Sequence, residues 1–348
     1  MRTILVTVGT SLLTNARRDL GRQELSEQEV TNYLQHTDPK RASAETNSLS
    51  RLLEADDRIV FLHSQTEDGK MCAQALRRHY ENNGYSADLQ EVPDLTYTES
   101  RFKMRGLRSL VAMMIDRIRH EKRQGREVLV NATGGFKAEI AYATLVGLLF
   151  DVPVFYIHEA FRDIIQMPPT PISWDYSLLA DYEEFFEWVS GDLRTTKEVD
   201  DRLRGLPPEI HLLLVEEEGY TYLSPTGQAF YEAYRSRLEE LQPTSVYLSS
   251  KAQATYMAAE PRIQQLFDRT LRKLCVLELR RSSSDILRNT DCWVFPRGHR
   301  DERVFYYEDK GSIYVCELAR HSDRSYERLL ERGVHRDAYS GFQRWEVR

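Results

Sequence analysis

Two segments of the chain share one pattern: Val6-Thr7-Val8-Gly9-Thr10-Ser11, and Asn131-Ala132-Thr133-Gly134-Gly135-Phe136-Lys137. In each, an apolar run that favours a β-strand ends in small polar residues and glycine. Glycine lets the backbone approach a ligand closely, and free N–H groups at the start of a following helix favour phosphate oxygens, with Lys137 adding a positive charge. The segments predict a phosphate or nucleotide site. Neither is G-x-G-x-x-G or a Walker loop, so a nicotinamide cofactor and ATP hydrolysis have no support.

Residues 1–170, around these segments, read as alternating strands and helices. The predicted strands are Ile4–Val8, Arg58–His63, Glu127–Val130 and Val152–Ile157. The predicted helices are Met71–Asn82, Thr98–Arg123 and Phe136–Phe150. This alternation predicts a mostly parallel sheet with helices on both faces, and such sheets bind ligands beyond the carboxyl ends of the strands, where the topology switches direction.

Residues 171–243 lack the strand–helix alternation of the preceding region and carry a net charge of −10. We predict a helix in 195–205, a second helix in 207–219, a strand at Tyr220–Leu223, and a longer helix begun by Ser224 and Pro225. The helix–helix–wing order resembles a winged helix. Because this acidity would repel DNA phosphates, we expect a connecting or dimerising role.

Residues 244–348 carry a net charge of +4 and mix strands with helices. The predicted elements are the strands Val246–Leu248, Trp293–Phe295, Arg303–Glu308 and Ser312–Leu318, and the helices Glu260–Leu274 and Asp323–Arg332. This order predicts an α+β domain, a small antiparallel sheet with helices on one face.

Composition narrows the functional classes. The 348 residues suffice for two or three domains. The net charge of −7 argues against a protein that binds nucleic acid nonspecifically along its length. The four cysteines form no C-x-x-C pair, so we expect no structural zinc site, no other metal and no disulfide framework. No signal peptide or membrane span is apparent, and we expect a cytoplasmic protein without a membrane partner.

The first strand running into G-T-S, and the later strand running into N-A-T-G-G-x-K, resemble the CARF domain, the CRISPR-associated Rossmann fold that senses cyclic oligoadenylates. The resemblance covers about residues 1–165. It implies a homodimer with one ring across the two-fold axis and no other cofactor. By motif position, the residues expected to line the ring are Gly9, Thr10, Ser11, Thr133, Gly134, Gly135 and Lys137, with Asn131 supporting the loop and Ser64 and Thr66 joining from the second strand.

Some members of the CARF family also cut their ligand, by aligning a ribose 2′-hydroxyl with its neighbouring phosphate. Such a reaction depends on positioning more than on a metal ion. Ser11 and Lys137 are the candidates here, although the same residues suffice for binding alone.

The C-terminal region resembles the RelE family of ribosome-dependent mRNA interferases. The resemblance covers about 100 residues. It rests on an R-V-x-Y strand that begins at Arg303, an apolar strand, and an R-H-S-D-x-x-Y segment that begins at Arg320 and follows that strand. It implies that Arg303 and Arg320 bind the scissile phosphate, that Arg297 or Arg300 replaces the usual lysines, and that Tyr326 transfers a proton. His299 and His321 are further acid–base candidates, since imidazole titrates near neutrality. We expect these arginines to be exposed.

These resemblances predict a CARF–RelE fusion: a Rossmann-like sensor in 1–170, a winged-helix-like connector in 171–243, and a RelE-like ribonuclease in 244–348. Cyclic tetra-adenylate, or a six-membered ring, would activate metal-independent cleavage of mRNA on the ribosome as part of type III CRISPR defence. The alternatives are a HEPN ribonuclease, marked by Arg328 and His335, a transcription regulator that uses the connector, and a ring-degrading enzyme with a C-terminal dimer clamp.

Overall fold

The computed structural model describes residues 1–96, 103–157, 163–170, 172, 174–239, 244–298 and 300–346, without the side chains of Lys103, Arg324 and Ser325. The chain divides into two compact units. The first comprises Met1–Ile172 and Glu187–Ala233, and the second comprises Ser173–Phe186 and Tyr234–Arg348. The residues predicted to form a connector, 171–243, are therefore shared between the two units.

A six-stranded sheet forms the centre of the first unit. Its strands are β1 (Arg2–Val8), β2 (Arg58–Ser64), β3 (Ser86–Val92), β4 (Glu127–Asn131), β5 (Val154–Tyr156) and β6 (Ile165–Met167). They lie in the order β3-β2-β1-β4-β5-β6, with the first five parallel and β6 antiparallel to β5. The predicted parallel sheet is confirmed. The sequence analysis missed β3 and β6, which are edge strands and carry few buried apolar residues.

The helices of this part are α1 (Ser11–Leu20), α2 (Glu27–His36), α3 (Pro39–Ala42), α4 (Ala44–Leu52), α5 (Glu67–Asn82), α6 (Lys103–Arg123) and α7 (Lys137–Leu149). The helices predicted at α5, α6 and α7 are confirmed, although residues 98–102 of the α6 prediction lie outside the described residues. Four unpredicted helices, α1 to α4, connect β1 to β2. Ser26 and Ser43 begin two of them with reciprocal capping boxes.

The sheet order puts the topological switch point between β1 and β4. From β1 the chain proceeds outward to β2 and β3, then crosses back to β4 on the other side of β1. Val6 of β1 pairs with Asn131 of β4, so the two strands end side by side. The loops that follow them must therefore meet at one edge of the sheet.

The remaining elements before residue 240 are α8 (Ser177–Asp181), α9 (Glu183–Ser190), β7 (Arg194–Thr195), α10 (Thr196–Leu203), a 3-10 helix (Pro208–Leu213), β8 (Leu214–Glu217), β9 (Tyr220–Leu223) and α11 (Pro225–Glu239). The strands form an antiparallel sheet in the order β7-β9-β8. The second helix predicted in 207–219 is wrong, because only a 3-10 helix follows Pro207, and 214–217 pair with β9 as a strand. The winged-helix assignment stays a prediction.

The second unit contains a five-stranded sheet. Its strands are β10 (Val246–Leu248), β11 (Trp293–Phe295), β12 (Glu302–Asp309), β13 (Ser312–Arg320) and β14 (Gln343–Arg344), in the order β11-β12-β13-β10-β14. The helices are α12 (Ser250–Ala258), α13 (Pro261–Cys275), α14 (Leu277–Ser282), α15 (Arg324–Arg332) and a 3-10 helix (Arg336–Ala338). The predicted strands and helices are present, but the sheet is mixed, because β10 runs parallel to β13.

Helices pack on both faces of this sheet, which corrects the prediction of helices on one face. Glu302 of β12 accepts a hydrogen bond from Thr270 of α13, at 3.3 Å. Phe305 of β12 lies in a core cluster with Tyr326 of α15. Successive side chains of a strand alternate between faces, so positions 302 and 305 point to opposite sides.

Candidate functional site

The β1 loop (residues 9–11) and the β4 loop (residues 132–137) are in direct contact. The Thr7 hydroxyl donates to the carbonyl oxygen of Gly134 at 2.6 Å. A β-carbon at Gly9 would lie 2.6 Å from the backbone nitrogen of Gly135, so only glycine permits this approach. The two segments singled out in the sequence therefore form one site at the switch point.

Close packing at one position and backbone conformation at the other require the two glycines of the β4 loop. At Gly134, a β-carbon would lie 2.1 Å from Glu45 Oε1 and 2.5 Å from the carbonyl oxygen of Thr7. Gly135 has a φ of +93°, and a β-carbon there would lie 2.2 Å from Glu139 Oε2. A larger residue at either position would push the loop away from the sheet.

Glu45, in the first turn of α4, is the central residue that the sequence analysis missed. It is fully buried. Its Oε1 accepts the Gly9 N–H at 2.8 Å and its Oε2 accepts the Ser11 hydroxyl at 3.4 Å. Loss of water raises the pKa of this carboxyl, and hydrogen bonds from the backbone N–H groups of Gly9 and Glu45 and from the hydroxyls of Ser43 and Ser11 only partly oppose that shift. The N–H of Gly9 is thus not free for a phosphate.

A sequence signal for Glu45 does exist. Glu45, Leu49 and Leu52 are spaced four and three residues apart on α4 and are all buried. This spacing places the carboxylate on the same helix face as the two leucines, which makes it a buried acid. Such an acid at a sheet edge with glycine loops marks a candidate functional group.

Ser11, Thr10 and Lys137 lie at the surface of the two loops. Ser11 is half-buried, and its Oγ accepts the Ala44 N–H at 3.1 Å. Thr10 is half-buried, and its carbonyl oxygen begins α1 by accepting the Thr14 N–H at 3.0 Å. Lys137 is exposed as the first residue of α7, and Phe136 beside it is 54% exposed.

Asn131 and Thr133 hold the β4 loop from within. Asn131 is fully buried and donates to the Ser48 hydroxyl at 2.6 Å. Its Oδ1 accepts the Thr133 hydroxyl at 2.7 Å, and Thr133 Oγ1 accepts the N–H of Ile157 at 3.2 Å. Asn131 and Thr133 therefore fix the shape of the β4 loop, and a contact of either loop residue with a ring stays a prediction.

Ser64 and Thr66, at the end of β2, are engaged with helix α5. Their hydroxyl oxygens lie 2.8 Å apart, and Ser64 is 1% exposed. Thr66 is the N-cap of α5 and accepts the Gly69 N–H at 3.1 Å. Helix capping accounts for these hydroxyls, and contact with a ligand stays a prediction.

In the second unit, Arg303 and Arg300 are not the exposed cations expected from the sequence. Arg303 is 6% exposed, and its guanidinium donates to the backbone carbonyl oxygens of Gly298, Arg300 and Glu302. Arg300 is half-buried; it pairs with Glu302 at 2.8 Å and donates to the carbonyl oxygen of Asp181. The expectation of exposure is wrong for Arg303, because the bend before β12 wraps its carbonyl groups around the cation.

The two arginines expected to share one phosphate also lie on opposite faces of the sheet. Arg303 pairs with Ala319, whereas Arg320 pairs with Glu302. Residues directly opposite each other share a face, and adjacent residues of one strand do not. Arg320 is 30% exposed and forms an ion pair with Asp301 at 2.8 Å. The structure does not bring Arg303 and Arg320 together.

The other predicted effector residues are dispersed. Arg297 is exposed, and His299 lies outside the described residues. His321 is exposed, with its ring centre 5.1 Å from that of Tyr326. Tyr326 is 6% exposed and belongs to a core cluster with Phe305, so it faces the same side of the sheet as Arg303.

A cavity of about 920 Å³ in the second unit adjoins Arg320. It lies between α12, α13 and the end of β13. Its charged lining residues are Arg262, Arg269, Arg320, Glu184, Glu260, Asp301 and Asp323. Both signs of charge meet here, and among the described members of the predicted catalytic set Arg320 lines this cavity.

No group of three or more His, Cys, Asp or Glu side chains in the described part of the chain is placed to hold a metal ion. The four cysteines are buried thiols, and loss of water raises the pKa of Cys275 to about 11. None of the helices in the described ranges has both the length and the apolar character needed to cross a bilayer.

Part of the first unit matches a family of CRISPR-associated proteins. Residues 40–170 match the family described as CRISPR-associated protein (Cas_APE2256). Protein VC1899 from Vibrio cholerae is a similar solved structure, with 14% sequence identity, a TM-score of 0.28, and coverage of 70% of this chain and 70% of that chain. Another is Can2 from Sulfobacillus thermosulfidooxidans in complex with cyclic tetra-adenylate, with 12% identity, a TM-score of 0.27, and coverage of 95% of this chain and 84% of that chain.

Proposed function

We propose that this chain is a cyclic-oligoadenylate sensor of type III CRISPR defence that binds its ligand at the β1 and β4 loops. The observation that carries the proposal is the direct contact of these loops at the topological switch point, where open parallel sheets bind ligands. The family match over residues 40–170 includes the whole β4 loop and agrees with a CRISPR-associated role. We take the ring to be cyclic tetra-adenylate across the two-fold axis of a homodimer, since a four-membered ring suits that symmetry.

Each loop would contribute a different kind of contact. The β1 loop offers the Ser11 hydroxyl and the Thr10 surface, and the β4 loop offers the backbone of the half-buried Gly135. Lys137 would attract ring phosphates, assisted by the partial positive charge at the start of α7. Ser11 and Lys137 are also the candidates for cleaving the ring, by aligning a 2′-hydroxyl with the adjacent phosphate.

For residues 244–348 we propose a metal-independent ribonuclease of the RelE kind that cuts mRNA on the ribosome. The strand order supports this proposal, as do Arg320 and His321 at the end of β13. Arg320 is the better phosphate ligand, because the Arg303 guanidinium is already occupied by backbone carbonyl groups. Arg320 would exchange Asp301 for the phosphate and stabilise the charge of the transition state, with His321 nearby for proton transfer.

A translation assay tests the whole proposal. Reporter mRNA would be translated in a bacterial cell-free extract with the protein, with and without cyclic tetra-adenylate, and the 5′ ends of the products mapped. We expect cuts that need both the ring and the ribosome, leaving 2′,3′-cyclic phosphates. Arg320→Ala should remove the cuts and keep ring binding, and Arg288→Ala, at an exposed arginine outside the predicted set, should behave as wild type.

Other results would select other functions. Cuts in naked RNA would favour the HEPN alternative, although His335 follows the end of α15 while Arg328 lies within it. Salt-sensitive binding to duplex DNA would favour the transcription regulator. Loss of the ring without any RNA cleavage would favour the ring-degrading enzyme, and failure to bind the ring would overturn the sensor itself.

A further inference from the structure

The hydrogen bonds of Ser11 determine what its hydroxyl can offer a ligand. A serine hydroxyl has one proton to donate and two lone pairs that accept. Ser11 Oγ accepts the N–H of Ala44 at 3.1 Å, which uses one lone pair. The hydroxyl donates its proton in a hydrogen bond to Glu45 Oε2, with the two oxygen atoms 3.4 Å apart. One lone pair therefore remains, and the half-buried Ser11 can present it to a ligand.

Glu45 is fixed in the role of acceptor. The N–H of Gly9 can only donate, so Glu45 Oε1, 2.8 Å away, must accept. Glu45 is fully buried and stands in the first turn of α4, whose N-cap Ser43 holds the start of the helix. The carboxylate cannot turn away without breaking the contacts that join the β1 and β4 loops.

We propose that Glu45 is a positioning residue that accepts the hydrogen bond donated by the Ser11 hydroxyl, so that Ser11 presents only an acceptor to the ligand. The site thereby selects rings whose sugars carry a 2′-hydroxyl. This inference rests on the proposed sensor function. A ribose 2′-hydroxyl can donate to the free lone pair of Ser11, whereas a phosphate oxygen, which only accepts, cannot. The ring is thereby oriented with a sugar at Ser11 and its phosphates toward Lys137 and the β4 loop.

The isosteric variant Glu45→Gln reverses this polarity. The amide oxygen of glutamine must face the Gly9 N–H, because the amide NH₂ group has no acceptor there. The NH₂ group then faces Ser11 Oγ and donates to it. The Ser11 hydroxyl can then donate its hydrogen bond to the ligand. The preference for a 2′-hydroxyl is lost, although the side chain at position 45 has the same size.

The test measures the dissociation constants of cyclic tetra-adenylate and its fully 2′-deoxy analogue for the full chain. Wild type should bind the ribose ring more tightly, by about tenfold for each hydroxyl that contacts Ser11. Ser11→Ala and Glu45→Gln should both bring the ratio of the two constants close to one. Glu24→Gln, at an exposed carboxylate of the same unit, should keep the wild-type ratio.

The pH dependence of wild type tests the same inference without a variant. A protonated Glu45 would donate to Ser11 as glutamine does, so the ribose preference should fall as the pH is lowered through the pKa of Glu45, which burial raises. Cys72 and Tyr80 of α5 lie close enough to feel the charge of Glu45, and Glu139 of α7 lies across Gly135. Burial raises the pKa of Cys72 to about 12 and also raises that of Tyr80, so both stay neutral across this range.

The outcomes separate the two levels of the proposal. Equal binding of the two rings by wild type would overturn the role of Glu45 and leave the sensor function intact. A ribose preference that survives in Glu45→Gln, or that does not change with pH, would do the same. If wild type binds neither ring, the sensor function and the role of Glu45 are both overturned.

Discussion

At the residue scale, two buried ionisable residues, Glu45 and Arg303, fix the backbone around them. Glu45 accepts hydrogen bonds from Gly9 and Ser11 where the two ligand loops meet, and Arg303 donates to three backbone carbonyl oxygens. Buried charges are costly unless hydrogen-bonded, and both residues satisfy that condition through backbone groups. Each is therefore a determinant of local backbone shape.

The raised pKa of Glu45 has a consequence for stability. Above the ordinary value of 4.5, the unfolded chain releases a proton that the folded chain still holds. The free energy of unfolding therefore contains a contribution that is present below that value and is lost as the pH rises through the folded pKa. Glu45→Gln lacks this titration. In urea denaturation at several pH values, the variant should gain stability relative to wild type as the pH rises. If the difference in free energy of unfolding between the two proteins did not change with pH, the raised pKa of Glu45 would be contradicted.

Arg303 and Arg320 should respond differently to removal. Arg303→Ala leaves three carbonyl groups short of a donor and should lower the free energy of unfolding by roughly 2–4 kcal/mol. Arg320→Ala breaks a partly exposed ion pair and should cost about 1 kcal/mol or less. Chemical denaturation of both variants measures this. Equal losses would mean that Arg303 is less tightly held than its hydrogen bonds indicate.

At the scale of elements, the contact of two loops depends on glycine and on the side chains behind it. The β1 loop, the β4 loop and the start of α4 meet within one small volume, where Gly9, Gly134 and Gly135 have no space for a β-carbon. The Asn131 and Thr133 hydrogen bonds then hold the β4 loop against Ser48 and Ile157. Loop shape here is set by close packing.

Gly134→Ala should therefore disrupt the ligand site. Its methyl group would lie 2.1 Å from Glu45 Oε1 and 2.5 Å from the Thr7 carbonyl oxygen, so the loop must shift, at a cost of roughly 1–3 kcal/mol. Ring binding should be lost or weakened severely. Gly191→Ala is the matched control, because its β-carbon would meet neighbours only at 3.7 Å or more. Thermal unfolding and ring titration of both variants provide the measurement; normal ring binding by Gly134→Ala would place the ligand elsewhere.

At the scale of the whole molecule, the chain consists of two compact units with different chemistry. The first has the parallel sheet with its switch-point site, and the second has the mixed sheet with a charged cavity. A ligand in the first unit could control the second only by binding two states of the protein with different affinities. This requirement makes stoichiometry a direct test of the sensor.

We expect two chains to bind one ring. A two-fold symmetric ligand shared by two identical sites gives this ratio, and light scattering with calorimetric titration by cyclic tetra-adenylate measures it. A ratio of one ring per chain would contradict the shared site. The Gly134→Ala variant should lose the ring but keep the mass of the wild-type assembly if the dimer forms without ligand.

The inner strands of the parallel sheet, the two glycine loops and β10 to β13 of the second unit follow from the sequence alone, because apolar runs that end in glycine or polar residues are local signals. The edge strands β3, β6 and β14 do not, since they carry few buried apolar residues. Glu45 and Gly9 are 36 positions apart, and their hydrogen bond exists only when α4 folds back over β1. The burial of Arg303 and its separation from Arg320 across the sheet likewise depend on strand register and on a bend in the backbone. Local patterns predict which residues form an element, but register, burial and long-range packing decide which side chains meet, and only the tertiary structure contains them.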